Sequence, residues 1–387
     1  MRFEESHRLK ELPQYLFAEI DKKIQKKKDQ GIDVISLGIG DPDIPTPEGI
    51  IDELKKEAGN PKNHRYPSSY GMPEFKQAVA EYYNDRFGVI IDPDTEVITL
   101  SGAKEGIANI AYTYVDNGDF VLVPDPSYPV YDIGTIFAGG VTMTMPLEDK
   151  NNYLIDLESI DKKIAKKSKL MHINYPNNPT SALCGLDFFE NVVGFAQKNN
   201  IIVCHDNAYA DTYFGDERPY SFLNAKSSKE VGIEFYSLSK TFNMTGWRIG
   251  CAVGNKEIIA SMGKYKTNVD SGVFNAVQYA AAEALKDYLS YSNGNNIIYK
   301  KRREMTTATL DRIGIDYYKS NATIYVWASV PRGYTSESFA KLVLDKADVV
   351  ITPGSAYGRQ GEGYFRISLT IEDKHLQEAL ERIDNIL

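Results

Sequence analysis

A lysine, an arginine and two hydroxyls crowd one short stretch of this chain. Ser237-Leu238-Ser239-Lys240 ends a run of apolar and aromatic residues, and eight residues later stands Arg248, within Gly246-Trp247-Arg248-Ile249-Gly250. The run Ile233–Leu238 reads as a strand. The polar groups therefore gather at the C-terminal end of a strand, where open α/β sheets bind ligands. Hydroxyls beside a guanidinium suit a phosphate. A lysine desolvated among them can form a Schiff base with an aldehyde. On these residues alone, a surface lysine near a turn remains the plainer alternative.

Other stretches offer complementary groups. Ser101-Gly102-Ala103-Lys104 lies between an expected strand and an expected helix, and backbone N–H groups at a helix start attract phosphate. A Ser-Gly turn can equally be only a cap. Asp206 closes a strand in His205-Asp206-Asn207-Ala208-Tyr209, where a turn former is the alternative role. Arg366 stands between apolar neighbours in Tyr364-Phe365-Arg366-Ile367-Ser368. Burying that charge unpaired is costly, so it needs a partner: a ligand or an internal carboxylate.

These residues need elements to position them. Strands are expected at Glu96–Leu100, Phe120–Val123, Leu170–Asn174, Ile201–His205, Ile233–Leu238 and Ile249–Val253. Helices are expected from about Ala103, after Pro129 and over Phe188–Lys198. Such alternation implies a largely parallel sheet with helices on both faces, an α/β fold. After about Gly272 the pattern changes. Two helices, Asn275–Ser290 and Asn296–Ile313, lead into strands at Thr323–Val330, Val349–Thr352 and Tyr364–Leu369 and helices at Ser336–Lys346 and Glu372–Ile386. The expected division is a large domain over 41–272 and a smaller, discontinuous α+β domain from 1–40 and 273–387.

Length and composition bound the rest. A chain of 387 residues suits two domains. The net charge of −9 disfavours a nucleic-acid partner, which needs a basic footprint. The lysines of 22–28 read as the solvated face of an N-terminal helix. No run is long enough for a membrane span, and the N-terminus lacks a signal-peptide core. The three cysteines, Cys184, Cys204 and Cys251, form no CxxC pair; reduced, buried thiols in a cytoplasmic protein are expected, with no structural zinc. Neither GxxxxGK[ST] nor GxGxxG opening a βαβ unit occurs.

The stretch SLSKTFNMTGWRIG closely resembles the lysine motif of the fold-type I, class I/II aminotransferases that depend on pyridoxal 5'-phosphate (PLP), and further motifs follow the family's order along nearly the whole chain. The resemblance implies that Lys240 carries PLP as an imine and then acts as the base at the substrate α-carbon. Ala103, Lys104, Ser237, Ser239 and Arg248 would bind the cofactor phosphate. Tyr128, in Pro126-Ser127-Tyr128-Pro129, would stack on the pyridine ring, although a core tyrosine fits the same turn. Asn178, in Asn177-Asn178-Pro179-Thr180, and Tyr209 would bond the phenolic oxygen. Ser181 stands where the family commonly has glycine, which puts the local turn geometry in question. Asp206 would pair with the ring nitrogen and keep it charged, making the ring an electron sink. Arg366 would grip the α-carboxylate, with the Gly40 amide. Tyr66 would reach a partner's phosphate across a two-fold homodimer. Asp206, Tyr209 and Lys240 are the expected catalytic set, with ping-pong exchange between an amino acid and a 2-oxo acid.

Segments 12–20, 34–43, 231–235 and 361–366 further resemble the branch of that family acting on LL-diaminopimelate in lysine biosynthesis. That implies 2-oxoglutarate or glutamate as amino-group partner, and Tyr15, Lys104 and Asn275 near the substrate's far end. Tyr15 as a packing residue and Asn275 as a helix cap are the alternatives. A general aminotransferase for alanine, aspartate or aromatic amino acids would share every core residue, as would a PLP-dependent β-eliminating lyase. A PLP-binding transcription regulator would need an added DNA-binding domain, for which the residues before Leu12 leave no room.

Overall fold

Short apolar runs, flanked by turn residues, pair to form the centre of the molecule. The computed structural model describes residues 3–12, 16–216 and 218–387. In chain order its strands are β1 (Ile35–Ser36), β2 (Val97–Leu100), β3 (Phe120–Asp125), β4 (Val141–Pro146), β5 (Ser168–Ile173), β6 (Ile202–Asp206), β7 (Gly232–Ser237), β8 (Gly250–Gly254), β9 (Tyr325–Ser329), β10 (Val349–Val350), β11 (Thr352–Pro353) and β12 (Tyr364–Ser368).

Strands β2 to β8 make one seven-stranded sheet in the order β2-β8-β7-β6-β5-β3-β4. Only β8 runs against its neighbours; the other pairings are parallel. The fold is the expected α/β architecture, with β4 as an additional edge strand that the Thr-Met alternation of 141–146 had not suggested. Side chains alternate across this sheet. Met171, Val203 and Tyr236 enter a core with the helix Pro73–Phe87. Leu170, Cys204 and Phe235 enter another with the helix Ala103–Tyr114. Burial on both faces explains why these strands are apolar throughout.

A third core covers the three-stranded sheet β11-β12-β9, where Ile324, Val326 and Ile367 meet Phe339 and Leu376 from the helices Ser336–Ala347 and Asp373–Asp384. Strand β1 pairs in parallel with β10, so residues near 36 run beside this sheet. Of the N-terminal lysines, Lys22, Lys23, Lys26 and Lys28 are exposed, and Lys27 pairs with Asp348 at 2.6 Å.

One helical boundary differs from expectation. The break falls at Asp287, between Asn275–Lys286 and Tyr288–Arg312, and not near 291–295. The Ser-Asn-Gly-Asn-Asn stretch has turn composition but stays helical. Asn295 bonds the Thr241 carbonyl at 2.9 Å and Asn296 that of Asp211 at 2.8 Å. These tertiary bonds satisfy side chains that would otherwise compete for the local backbone.

Candidate active site

The topology gathers the polar groups at one edge of the seven-stranded sheet. Strands β2, β3, β5, β6 and β7 share a direction, and β8 starts from their C-terminal edge. Ser101 follows β2, Tyr128 follows β3, Asn178 follows β5, Asp206 ends β6, Lys240 follows β7, and Arg248 precedes β8.

Lys240 lies in the single turn Leu238–Thr241, whose start is capped by the Ser237 hydroxyl accepting from the Ser239 amide at 3.3 Å. Its Nζ donates to the Gly40 carbonyl at 2.5 Å. Burial draws its pKa down, with Arg366 and Arg248 adding to that against Tyr325 and Asp41. A lowered pKa favours the free amine, the form that attacks carbonyl carbon.

Asp206 is buried, and its Oδ2 accepts from the Tyr131 hydroxyl at 2.8 Å. Its Oδ1 is buried without a hydrogen-bond partner. Burial raises the Asp206 pKa to about 6, against the pull of Tyr131, His205 and the Ala208 amide. A buried acceptor left open is costly, which points to a cationic donor belonging there. Asn174 ties this edge together, donating to the Asp206 carbonyl at 2.6 Å and accepting the Asn178 amide at 2.7 Å.

Arg366 is 4% exposed and forms no ion pair with any described residue. Its Nη1 donates to Asn178 Oδ1 at 2.8 Å, its Nη2 to the Gly38 carbonyl at 2.7 Å, and its Nε to nothing. The guanidinium carbon lies 3.9 Å from the Tyr325 ring centre and 4.9 Å from that of Tyr357. Cation–π contacts return about 2 kcal/mol each when desolvated, against a burial cost of several kcal/mol. The cation is thus short of an anion, and no described residue supplies the internal carboxylate that is the alternative partner. Because Arg366 only donates, Asn178 turns its oxygen to it and keeps its Nδ2 for another acceptor.

Tyr209 is buried, with its hydroxyl 3.0 Å from that of Tyr325. On the other side, Gly102 precedes the helix Ala103–Tyr114 at φ +81°, and a Cβ on it would stand 2.2 Å from Arg248 Nη2. Only glycine fits, so the guanidinium packs on the helix entry, bonding the Ser101 carbonyl at 3.3 Å. Ala103 is buried there, and Lys104 places its Nζ 5.9 Å from the Tyr128 ring centre. The helix-start N–H groups and the Arg248 guanidinium form a cradle of the kind that suits a phosphate.

The structure thus brings Lys240, Gly40, Asn178, Tyr209 and Arg366 into one contact network, and Ala103 and Arg248 into a second. Gly40 meets Lys240 through its carbonyl. None of these contacts reaches Tyr66 or Asn275. Tyr66 is 90% exposed beside Gly272 and Phe274, and Asn275 opens the helix that follows. Tyr15 lies outside the described residues. Sequence reasoning missed Tyr131, Tyr325, Tyr357 and Asn174, which carry no local signal.

An amine of lowered pKa, an open buried carboxylate, a phosphate cradle and an amide donor fit a phosphorylated pyridine aldehyde. The family model for class I and II aminotransferases matches residues 32–383. LL-diaminopimelate aminotransferase of Aquifex aeolicus is 54% identical, over 99% of both chains. Its counterpart in Moorella thermoacetica is 53% identical, over 99% of this chain and 98% of the relative. Among solved structures, substrate-bound BacF of Bacillus subtilis aligns with TM-score 0.95 at 38% identity, over 100% of this chain and 98% of the other. An aspartate aminotransferase mutant of Thermus thermophilus aligns with TM-score 0.93 at 26% identity, over 100% of both. The chain belongs to the class I and II aminotransferases, the fold-type I enzymes that transfer amino groups with pyridoxal 5'-phosphate.

Proposed function

We propose that this enzyme is an LL-diaminopimelate:2-oxoglutarate aminotransferase of lysine biosynthesis. The observation that carries the substrate is the 54% and 53% identity, nearly end to end, to enzymes of that name. The site supports the chemistry. PLP bound there supplies an aldehyde that takes the amino group and a pyridine ring that absorbs charge from the α-carbon.

Each residue has a task in this reading. Asp206 Oδ1 receives the ring N–H and holds it protonated. Asn178 Nδ2 and the Tyr209 hydroxyl donate to the phenolic oxygen. Tyr128 covers one ring face and excludes water. Ala103, Lys104, Ser237, Ser239 and Arg248 bind the phosphate, with Tyr66 contributed from a second subunit of a homodimer. Arg366 supplies its unpaired charge to the α-carboxylate, and Gly40 lies beside it. Lys240 Nζ, freed by the incoming amine, removes the α-proton and later returns one. Tyr15, Lys104 and Asn275 line the far end of the substrate. Two units, 41–272 and 1–40 with 273–387, would frame this site. We place the enzyme in the cytoplasm, as its three free cysteines suggest. Among the described residues no helix is long and apolar enough to cross a membrane.

The balanced reaction converts LL-diaminopimelate and 2-oxoglutarate to tetrahydrodipicolinate, glutamate and water. The test is the first half-reaction alone. LL-diaminopimelate, added without a 2-oxo acid, should bleach the visible band of the holoenzyme at concentrations where aspartate and alanine do not. Bleaching by those amino acids but not by LL-diaminopimelate would remove the substrate assignment and leave the aminotransferase.

A further inference from the structure

Tyr325 sits where the two halves of the site meet, and the functions derived above leave it without a task. It lies on β9, with its backbone fixed on several sides. The Ser181 hydroxyl donates to its carbonyl at 3.0 Å, and Arg303 Nη1 donates to the same oxygen at 2.9 Å. Its side chain is 3% exposed. One face of the ring lies 3.9 Å under the Arg366 guanidinium carbon, and the hydroxyl is 3.0 Å from the Tyr209 hydroxyl. A Cβ on Gly40 would come within 2.0 Å of the same hydroxyl, so the loop that accepts from Lys240 packs directly on it.

We propose that Tyr325 is a positioning residue, whose hydroxyl orients the Tyr209 O–H toward the cofactor while its ring seats Arg366 for the substrate carboxylate. The inference rests on the placement of Tyr209 at the phenolic oxygen and Arg366 at the α-carboxylate. A phenol that accepts one hydrogen bond donates the next more strongly. Tyr325 donating to Tyr209 therefore strengthens the bond from Tyr209 onward. The neighbours agree with this direction. Arg366 and Lys240 face Tyr325 and draw its pKa down against burial, while burial raises that of Tyr209. The better acid of the pair is the donor. Tyr299, from the helix Tyr288–Arg312, also faces the pair and has its pKa raised by burial, so it remains protonated.

Two substitutions separate the tasks. Tyr325→Phe keeps the ring and removes the hydroxyl; Tyr325→Leu removes both. The readouts are the pH midpoint at which the absorbance of the substrate-free holoenzyme changes, and KM for the amino donor. A donor to the phenolic oxygen lowers that midpoint, because it stabilises the oxygen's anion. Tyr325→Phe should raise the midpoint by about half a unit, less than Tyr209→Phe does, with KM held within about twofold. Tyr325→Leu should raise KM about tenfold or more. An unmoved midpoint in Tyr325→Phe alongside a moved one in Tyr209→Phe would overturn this proposal alone. Unmoved midpoints in both would overturn the placement of Tyr209, and this proposal with it. A normal KM in Tyr325→Leu would overturn the seat for Arg366.

Discussion

Two carboxylates on neighbouring strands, one residue out of register, meet opposite fates. Glu234 on β7 pairs in register with His205, the residue before Asp206 on β6. Glu234 Oε1 accepts from Tyr83 at 2.7 Å and Asn207 at 2.9 Å. Its Oε2 takes His205 Nδ1 at 2.7 Å, the Ser221 hydroxyl at 2.8 Å and the Phe222 amide at 3.0 Å. Burial pushes its pKa up, but these donors outweigh it and hold the carboxyl below the usual range. Asp206 has the same burial with far fewer donors, the Tyr131 hydroxyl chief among them, and its pKa rises to about 6. The arginines repeat the contrast. Arg86 is paired with Asp211 at 3.0 Å, and that carboxylate also takes Tyr82 and Tyr236. Arg366 has rings and carbonyls but no anion among the described residues. Buried charge that the chain satisfies itself builds the fold; buried charge left open marks where a ligand completes the site.

Substitutions across the pairs sharpen this contrast. Asp206→Asn should cut kcat about a thousandfold in steady-state assays, since an amide cannot hold the ring nitrogen charged. The same change should stabilise the cofactor-free protein. The folded-state pKa of Asp206 is raised from 3.8 to about 6. The folded chain therefore holds that proton more tightly than the unfolded chain. The ionised group costs nothing below about pH 4 and up to about 3 kcal/mol above about pH 6. Denaturant melts of the apoprotein should show the gain near neutrality and lose it in acid. An Asp206→Asn apoprotein less stable than wild type at neutral pH would break the comparison.

Glu234→Gln should do the reverse. The amide faces five donors with one acceptor oxygen lost, and unfolding midpoints should reveal a loss of about 3–5 kcal/mol. Glu234 has a depressed folded-state pKa, so its contribution is present above the unfolded value near about 4 and is lost as pH falls through the lower folded value. Arg366→Gln should raise KM for the amino donor about a hundredfold while leaving the melting temperature close to wild type. Arg86→Met should lower stability by about 3 kcal/mol, because Asp211 loses its counter-charge, with KM within about twofold. The smallest effect concerns Ser181. It adopts φ +66°, and its hydroxyl bonds both Thr323 and the Tyr325 carbonyl. Ser181→Gly relieves the backbone and loses the bonds, so stability should move by less than about 1 kcal/mol. Ser181→Ala keeps the strain and should cost about 1–2 kcal/mol.

Much of this site was legible in the sequence because its chemistry sits in short motifs at strand ends. Lys240, Arg248, Asp206 and Asn178 each lie within a few residues of an apolar run that places them on one sheet edge. The turn around Ser181, doubtful for want of glycine, is held by Thr323 and by Tyr325 of β9, partners more than a hundred residues away. Tyr131 and Tyr325 were illegible for a related reason. A tyrosine in an apolar helix or strand reads as packing, and only tertiary contact shows that its hydroxyl meets Asp206 or Tyr209. The helix break at Asp287 escaped because Asn295 and Asn296 find distant carbonyls in place of their own turn. Distant partners are what a single sequence conceals.

We propose that Lys240 holds the cofactor at the edge of the sheet. Borohydride reduction of the PLP-loaded enzyme, followed by proteolysis and mass spectrometry, tests it directly. One pyridoxyl adduct per chain is expected, on the peptide containing Ser237-Leu238-Ser239-Lys240, and should be lost in Lys240→Ala. An adduct on another lysine, or retention of the adduct in Lys240→Ala, would contradict it.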